Sequence, residues 1–388
     1  MASRAVLLDV TRSLGRSLKG RLPTGIDRVD LAYIKHFGQR AQAVIRLRDR
    51  PWVVSRARSA DLFANVLQWH GRVHRPCIRT LLRGLTSAAA ASPPAEALYL
   101  NIGHSGLDQP HAIERLRRSG ARSVFMVHDI IPITHHEYCR PGEVDRHKLR
   151  MRTLLQLGSA VVTNSKFTLE GLAGFAAEEG MALPPARAAL LGPGTDRHEP
   201  GPRPLESNYF VFIGTIEPRK NLAFLLTLWR RLVEQHGANS PHLVIIGQRG
   251  WECESVVDLL ERCAPIQGFV HELGHISDAE MVTWLQHAQA LLYPSFVEGF
   301  GLPLVEAMRA GVPAIASNLP VFRELAEDIP DYLDPLDGLG WMQKVNEYNC
   351  ASSPARMAQL DRLRGYSAPS WCSHFEAVED FLARCGAT

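Results

Sequence analysis

Short runs of β-branched and other apolar residues alternate with amphipathic stretches along most of the chain. In the first half the runs predict strands over Ala5–Val10, Ala43–Leu47, Ala97–Asn101, Ser123–His128 and Ala160–Asn164. In the second half they predict strands over Tyr209–Gly214, His242–Gly247, Ile266–Leu273, Ala290–Pro294 and Ala314–Ala316. Helical spacing is present over Arg146–Leu157, Lys166–Glu179, Leu222–His236, Glu254–Cys263, Asp278–His287, Leu304–Ala310 and Ser370–Arg384. Such alternation implies parallel sheets with helices on both faces. It runs twice, on either side of the Pro/Gly-rich stretch Gly192–Pro204, which reads as a linker. We therefore expect an α/β chain of two Rossmann-like, doubly wound domains, 1–200 and 201–369, with a final helical segment, 370–388. Ligands of open α/β sheets bind beyond the carboxyl ends of the strands. Two such domains facing each other would make a cleft whose closure excludes water. Residues Leu85–Pro94 read as a surface loop of the first domain, and no internal repeat is visible.

Composition changes little in that picture. The 388 residues are 46 % hydrophobic and 21 % charged, which excludes disorder, a collagen-like repeat and a small disulfide scaffold. No apolar run reaches the roughly 18 residues of a membrane span. The first ten residues carry one Arg and a short apolar run broken by Asp9, so they read as a strand and not a signal peptide; the expected address is the cytoplasm. Cysteines 77, 139, 253, 263, 350, 372 and 385 form no CxxC pair and read as reduced thiols, neither a zinc site nor a disulfide framework.

Charge is more telling. The net +3 hides +12 over residues 1–200 and −9 over 201–388. The basic half suits phosphates, an anionic lipid surface or nucleic acid, and the two halves also attract one another. Arg72, Arg75, Arg79 and Arg83 recur at steps of three and four beside Trp69, Val73, Ile78, Leu81, Leu82 and Leu85, with Pro76 interrupting. That stripe reads either as a membrane-surface contact or as a solvated helix face.

The densest candidate chemistry lies in Leu292–Gly311, LYPSFVEGFGLPLVEAMRAG. A strand ending at Tyr293-Pro294 leads into a loop with Glu298, Gly299, Phe300 and Gly301. A helix then begins near Leu302, with Pro303 suited to its first turn and Gly311 to its C-cap. Glycines admit a ligand close to the backbone, and the free N–H groups of a helix start hold an anion. Glu298 is expected to project from the loop, and Glu306, one turn into the helix, to accept hydrogen bonds from sugar hydroxyls. The bland alternative is a βα junction with surface or capping glutamates. A second constellation, Phe210–Leu222, reads strand, Gly214 turn, then Arg219-Lys220 at a helix start, two adjacent cations able to cradle a diphosphate.

These residues resemble the retaining glycosyltransferases of family 4, which have the GT-B fold. The carrying motifs are GTIEPRKN (214–221), IIGQRGW (245–251), LGHISDAE (273–280), the Glu298–Glu306 block and ASNLPVFRE (316–324). The resemblance covers the second half and, thinly, the first. It implies that Arg219 and Lys220 bind the donor diphosphate, that Glu298 contacts the donor sugar and Glu306 the ribose, and that the strand at Phe269-Val270 flanks the base. It also implies that the last helix crosses back to the first domain. The subgroup most similar is that of bacterial mannosyl- and rhamnosyltransferases of polysaccharide and O-antigen assembly.

In the first half, His128 of VHDIIP (127–132) resembles the family's histidine beside the reacting sugar; a satisfied core histidine is the alternative. Pro23–Arg28 would be the first glycine loop, near the donor phosphates, with Thr24-Gly25 in place of Gly-Gly, Gly25 supplying a positive φ, and Asp27 and Arg28 as cleft residues. Asn164 or Ser165 reads as a helix cap. His135-His136 lack the carboxylate spacing of a metal site.

The resemblance implies hexose transfer from a nucleotide-diphosphate sugar, GDP-mannose or a related GDP-sugar, to a glycan or lipid-linked oligosaccharide hydroxyl, with retention by front-face attack. No Asp-x-Asp motif is present, and no metal or other cofactor is expected. Peripheral contact with the inner membrane fits the basic half; nucleic-acid binding is the weaker reading and no nucleic-acid partner is expected, for want of an aromatic-plus-basic platform. The alternatives are a GT-B UDP-sugar epimerase and a catalytically inactive GT-B scaffold that binds glycan.

Overall fold

The computed structural model describes residues 4–47, 49–69, 94, 96–195, 198–350 and 352–385. The Arg72–Arg83 stripe and residues 85–93 of the expected loop lie outside them. The chain divides into two compact units. The first comprises Met1–Thr134, Pro141–Gly194 and Ser370–Thr388; the second comprises Thr195–Pro369 together with the short segment His135–Arg140. The division falls between Gly194 and Thr195, inside the expected linker and six residues before the expected boundary.

Among the described residues the first unit holds a seven-stranded sheet. Its strands are β1 (Val6–Asp9), β2 (Ala41–Leu47), β3 (Arg50–Val53), β4 (Leu98–Asn101), β5 (Arg122–Val127), β6 (Ala160–Thr163) and β7 (Ala186–Ala188). The order is β3-β2-β1-β4-β5-β6-β7, parallel except for the β2–β3 hairpin. Sequence reading missed β3 and β7. β3 contains Pro51, whose absent N–H is tolerated on an edge strand, and β7 is only Ala-Arg-Ala. The core gathers Leu7, Val44, Tyr99, Phe125, Leu154 and Val161. The last helix, Trp371–Cys385, belongs to this unit: the Trp371 indole N–H donates to the Pro193 carbonyl at 2.9 Å, and the Phe375 and His36 rings stack at 3.9 Å.

The second unit holds β8 (Tyr209–Ile213), β9 (His242–Ile246), β10 (Val270–Leu273), β11 (Leu291–Tyr293), β12 (Ala314–Ser317) and β13 (Asp331–Leu333), all parallel, in the order β10-β9-β8-β11-β12-β13. Every residue of β8, β11 and β12 is buried. That is why these strands read as continuous apolar runs and not as alternations. Phe210, Phe212, Trp229, Ile245, Leu292 and Trp341 form the core. The Trp229 and Trp341 indoles satisfy their N–H groups on the Pro241 and Asp334 carbonyls, each at 2.9 Å. The expected strand Ile266–Leu273 is shorter. Ala264–Ile266 forms a 3₁₀ turn and Gly268 takes φ +83°, so pairing begins at Val270.

In both sheets the strand order reverses once, at β1/β4 and at β8/β11, and such a reversal opens a crevice at the carboxyl ends. At the second crevice, the turns after β8 and β9 lie against each other. Ile216 N–H donates to Gln248 O and Gly250 N–H to Ile216 O, both at 2.9 Å. A Cβ on Gly247 would sit 1.9 Å from the Gly214 carbonyl oxygen. Gly247→Ala is therefore expected to destabilise the protein by about 2 kcal/mol through forced separation of the two turns. The check is a lower urea midpoint at unchanged slope; an unmoved midpoint overturns it.

Candidate active site

The second unit's crevice collects most of the residues picked from the sequence. Arg219 and Lys220 are not yet in a helix, as expected, but in a 3₁₀ turn, Pro218–Lys220; Asn221 (φ +58°) then turns the chain into the helix Leu222–His236. The Phe296 N–H donates to the Arg219 carbonyl at 2.9 Å, which ties this turn to the loop after β11. The Arg219 guanidinium donates through Nη1 to Glu298 Oε2 at 2.7 Å and to Val297 O at 3.1 Å, and pairs through Nη2 with Glu217. Lys220 Nζ donates to Glu298 Oε1 and, at 3.2 Å, to the Tyr293 hydroxyl. Ser295 Oγ adds a bond to Glu298 Oε1 at 2.8 Å.

Glu298 therefore does not project as the sequence suggested. It is buried, with both carboxylate oxygens engaged by Arg219, Lys220 and Ser295. Burial would raise its pKa, but Arg219 and then Lys220 outweigh that and hold it at about 2. Burial also works against charge on Arg219, yet Glu298 and Glu217 keep it above its ordinary value. Two basic side chains thus face two carboxyl groups, and burial pulls the Lys220 ammonium below its ordinary value while Glu298 pulls the other way.

The helix Leu302–Arg309 follows, capped by Gly301, with Pro303 in its first turn and Gly311 (φ +73°) just past its end. Gly301 takes φ +117°, and a Cβ there would lie 2.8 Å from the Phe322 ring, so both conformation and space demand glycine. Gly299 lies in the same loop, the Phe300 side chain is buried, and Leu302 opens the helix. Glu306 is buried in the second turn of that helix. Gly214 follows β8, its N–H donating to the Ile246 carbonyl at 2.9 Å, and a Cβ there would lie 3.4 Å from Lys220 Cε.

Val270 is a correction. It is the first residue of β10, paired with Leu243 and packed on the core. That is the amino end of the sheet, opposite the crevice, so it cannot flank a base bound beyond the carboxyl ends.

In the first unit, His128 follows β5 and is buried. Its Nε2–H donates to the Ile102 carbonyl at 2.7 Å, and its backbone N–H donates to His104 Nε2 at 3.4 Å. Burial pulls its pKa down to about 4, so the ring is neutral near pH 7. Gly25 does not supply a positive φ; it is the first residue of the helix Gly25–Phe37. Asp27 is fully buried as that helix's capping-box acid, accepting from Thr24 N and Oγ1 at 2.7 Å each and pairing with Arg12 and Arg16. Arg28 donates to Gly194 O at 2.8 Å. Ser165 is the cap of the helix Lys166–Glu178, accepting from Thr168 N.

Sequence reading missed a buried polar group beside the β1/β4 reversal: Arg46 pairs with Asp9, which also accepts from the Tyr99 hydroxyl. Its only signal was an Asp ending an apolar strand. Among the described residues no three His, Cys, Asp or Glu side chains cluster as a metal site, and no helix is long and apolar enough to cross a membrane.

Two Rossmann-like parallel-sheet units of this kind define the GT-B class of folds. Solved structures agree: HepE from Anabaena, in complex with UDP, aligns at TM-score 0.65 with 14 % identity over 98 % of this chain and 100 % of that one. A UDP-forming α,α-trehalose-phosphate synthase from Burkholderia xenovorans aligns at TM-score 0.64 with 11 % identity over 99 % of this chain and 100 % of that one. The second unit carries the more particular signature: residues 195–329 match the family model "Glycosyl transferases group 1". Among curated relatives, O-antigen chain mannosyltransferase B of Escherichia coli is 39 % identical over 129 residues, 33 % of each chain. O-antigen chain mannosyltransferase RfbU of Salmonella typhimurium is 31 % identical over 147 residues, 36 % of this chain and 38 % of that one. The matched stretch thus spans about a third of these relatives' length.

Proposed function

We propose that this protein is a retaining glycosyltransferase that moves mannose from GDP-mannose to a hydroxyl of a glycan or lipid-linked glycan in O-antigen-type polysaccharide synthesis. The observation that carries the reading is the convergence of Arg219, Lys220 and Glu298 at the strand-order reversal of the second sheet. The likeness to mannosyltransferases supports the sugar and the pathway class.

In this reading the diphosphate binds at Arg219, Lys220 and the start of the helix Leu302–Arg309, and Glu306 takes the ribose hydroxyls. As the anomeric C–O bond breaks, charge grows on the leaving phosphate, where preorganised cations stabilise it most. The acceptor oxygen bonds to the anomeric carbon on the face the phosphate leaves, and its proton passes to a phosphate oxygen. In this reading Arg219, Lys220 and the N–H groups of that helix start are the groups that meet the growing charge. Glu298, with both oxygens engaged, is a preorganising carboxylate and not a nucleophile. His128, neutral and donating through Nε2 to the fold, can offer only Nδ1 as an acceptor and is not a general acid.

A thermal-shift series tests this. GDP-mannose at about 100 times its Kd is expected to stabilise the protein by about 2.7 kcal/mol, with smaller shifts for UDP-, dTDP- and CDP-sugars. A response to UDP-sugars alone overturns the donor, and no response to any nucleotide sugar overturns the enzyme.

A further inference from the structure

The segment His135–Arg140 belongs to the second unit, although its chain neighbours on both sides belong to the first. It is a short strap built on the 3₁₀ turn His136–Tyr138. Two side chains fasten it. The Tyr138 ring lies flat on the Phe296 ring, centroids 5.3 Å apart and planes 2° from parallel. The Arg140 guanidinium sits over the Trp251 ring, 5.2 Å from its centroid.

Both partners are informative. Phe296 is the residue whose N–H is held by the Arg219 carbonyl, and it stands between Ser295 and Val297-Glu298, all of which bond within the charged cluster. Trp251 ends the turn after β9, which is hydrogen-bonded through Gly250 to Ile216, in the turn that leads to Arg219. The strap thus grips, by one aromatic stack and one cation–π contact, the loop that carries Glu298 and the turn after β9, which is hydrogen-bonded to the turn leading to Arg219. The half-buried Tyr138 contributes nothing to the sheet's core.

We propose that Tyr138 is a positioning residue for the Arg219–Lys220–Glu298 cluster, acting through its stack on Phe296, with Arg140 fixing the neighbouring turn through Trp251. The catalytic part of this inference rests on the function proposed above; the mechanical part does not. A stacked pair restrains ring position in a way that neither an alanine nor an unstacked residue reproduces. Misplacing a reacting group by about 1 Å is costly in rate.

The test uses the full chain and two readouts. In Tyr138→Ala, backbone hydrogen exchange over residues 293–301 is expected to quicken about tenfold, as the loop opens more easily. Tyr138→Phe, which keeps the stack, is expected to stay within about twofold of the parent, as the ring and not the hydroxyl makes the contact. Arg140→Ala should quicken exchange over residues 247–251 without touching the first loop as strongly. With GDP-mannose as the probe, Tyr138→Ala is expected to raise KM about tenfold while Tyr138→Phe does not, both proteins melting within a degree or two of the parent. Unchanged exchange in Tyr138→Ala overturns the proposal, as does a Tyr138→Phe protein that behaves like Tyr138→Ala. Faster exchange with unaltered GDP-mannose kinetics overturns the positioning role. If the parent neither binds nor turns over any nucleotide sugar, the proposed function falls, while the exchange data still decide whether the strap holds the loops.

Discussion

Lys220→Ala is expected to lower turnover of the nucleotide-sugar donor at least about 100-fold, the loss typical of removing one preorganised donor from a developing oxyanion. The protein is expected to fold. After the substitution Glu298 still accepts from Arg219 and Ser295, so no buried carboxylate is left unpaired. Glu298→Ala is a different experiment. It leaves the buried Lys220 with the Tyr293 hydroxyl and the half-buried Arg219 with Glu217 and the Val297 carbonyl, and breaking a buried pair in that way costs about 3 kcal/mol. Loss of activity in Glu298→Ala would therefore mix chemistry with folding, and Lys220→Ala is the cleaner probe. Glu298→Gln separates the roles further. The carboxylate competes with any diphosphate for the same two cations, so the neutral amide is expected to bind free GDP about tenfold more tightly, a gain of one weakened repulsion, and yet turn over more slowly because the cations are less firmly set. Calorimetry with GDP and steady-state rates with GDP-mannose check both arms. Near-parental rates in Lys220→Ala overturn the site assignment, and weaker GDP binding by Glu298→Gln overturns the competition.

The doubly wound pattern was legible because a parallel strand buried on both faces writes itself as an unbroken apolar run, as in Tyr209–Ile213 and Leu291–Tyr293. The helices Thr11–Leu18 and Gly25–Phe37 were not. Their buried faces include Ser13, Ser17, Asp27 and Asp30, so hydrophobic periodicity is lost where polar side chains pair with one another inside the fold. The chemistry of the site showed a similar split. Glu298, Gly301 and Glu306 share one local block, and local spacing places them on a loop and helix. The bonds from Arg219 and Lys220 to Glu298 span 79 and 78 residues and exist only because β8 and β11 are neighbours in the sheet. Val270 went wrong for a related reason: the sequence marked a strand but not where its pairing begins, and Gly268 moved the start. His135–Arg140 gave no sign of its allegiance, since a six-residue segment with one tyrosine has no pattern to read.

Stability is expected to decline as pH rises from about 5 to 8, by about 3 kcal/mol from one side chain, Asp30. Asp30 lies on the buried face of the helix Gly25–Phe37, 4 % exposed. One carboxyl oxygen accepts from the Ser13 hydroxyl, and the other, Oδ1, is buried without a hydrogen-bond partner among the described residues. Burial is the largest influence and pushes its pKa up to about 7; the Ser13 bond and Arg12 pull the other way, while the Asp27 and Asp9 carboxylates add to the rise. The sign follows from proton counting. Between the ordinary carboxyl value of 3.8 and about 7 the folded protein holds this proton and the unfolded chain does not, so each step up in pH favours the unfolded chain until the native group has also ionised. The contribution is thus complete in acid and gone above about pH 7, opposite in direction to that of Glu298, whose depressed pKa favours the native state above the usual carboxylate range and is lost as pH falls toward 2. Urea unfolding at several pH values, with Asp30→Asn as the comparison, isolates the group: the difference in stability between the two proteins should shift in favour of the asparagine form by about 3 kcal/mol from pH 5 to pH 8. The absolute difference at either pH is less diagnostic, because an amide at this position brings its own buried N–H groups in need of acceptors. A difference that does not change with pH would mean that the Asp30 carboxyl is ionised throughout, and that the polar face joining Thr11–Leu18 to Gly25–Phe37 is wetter than its burial implies.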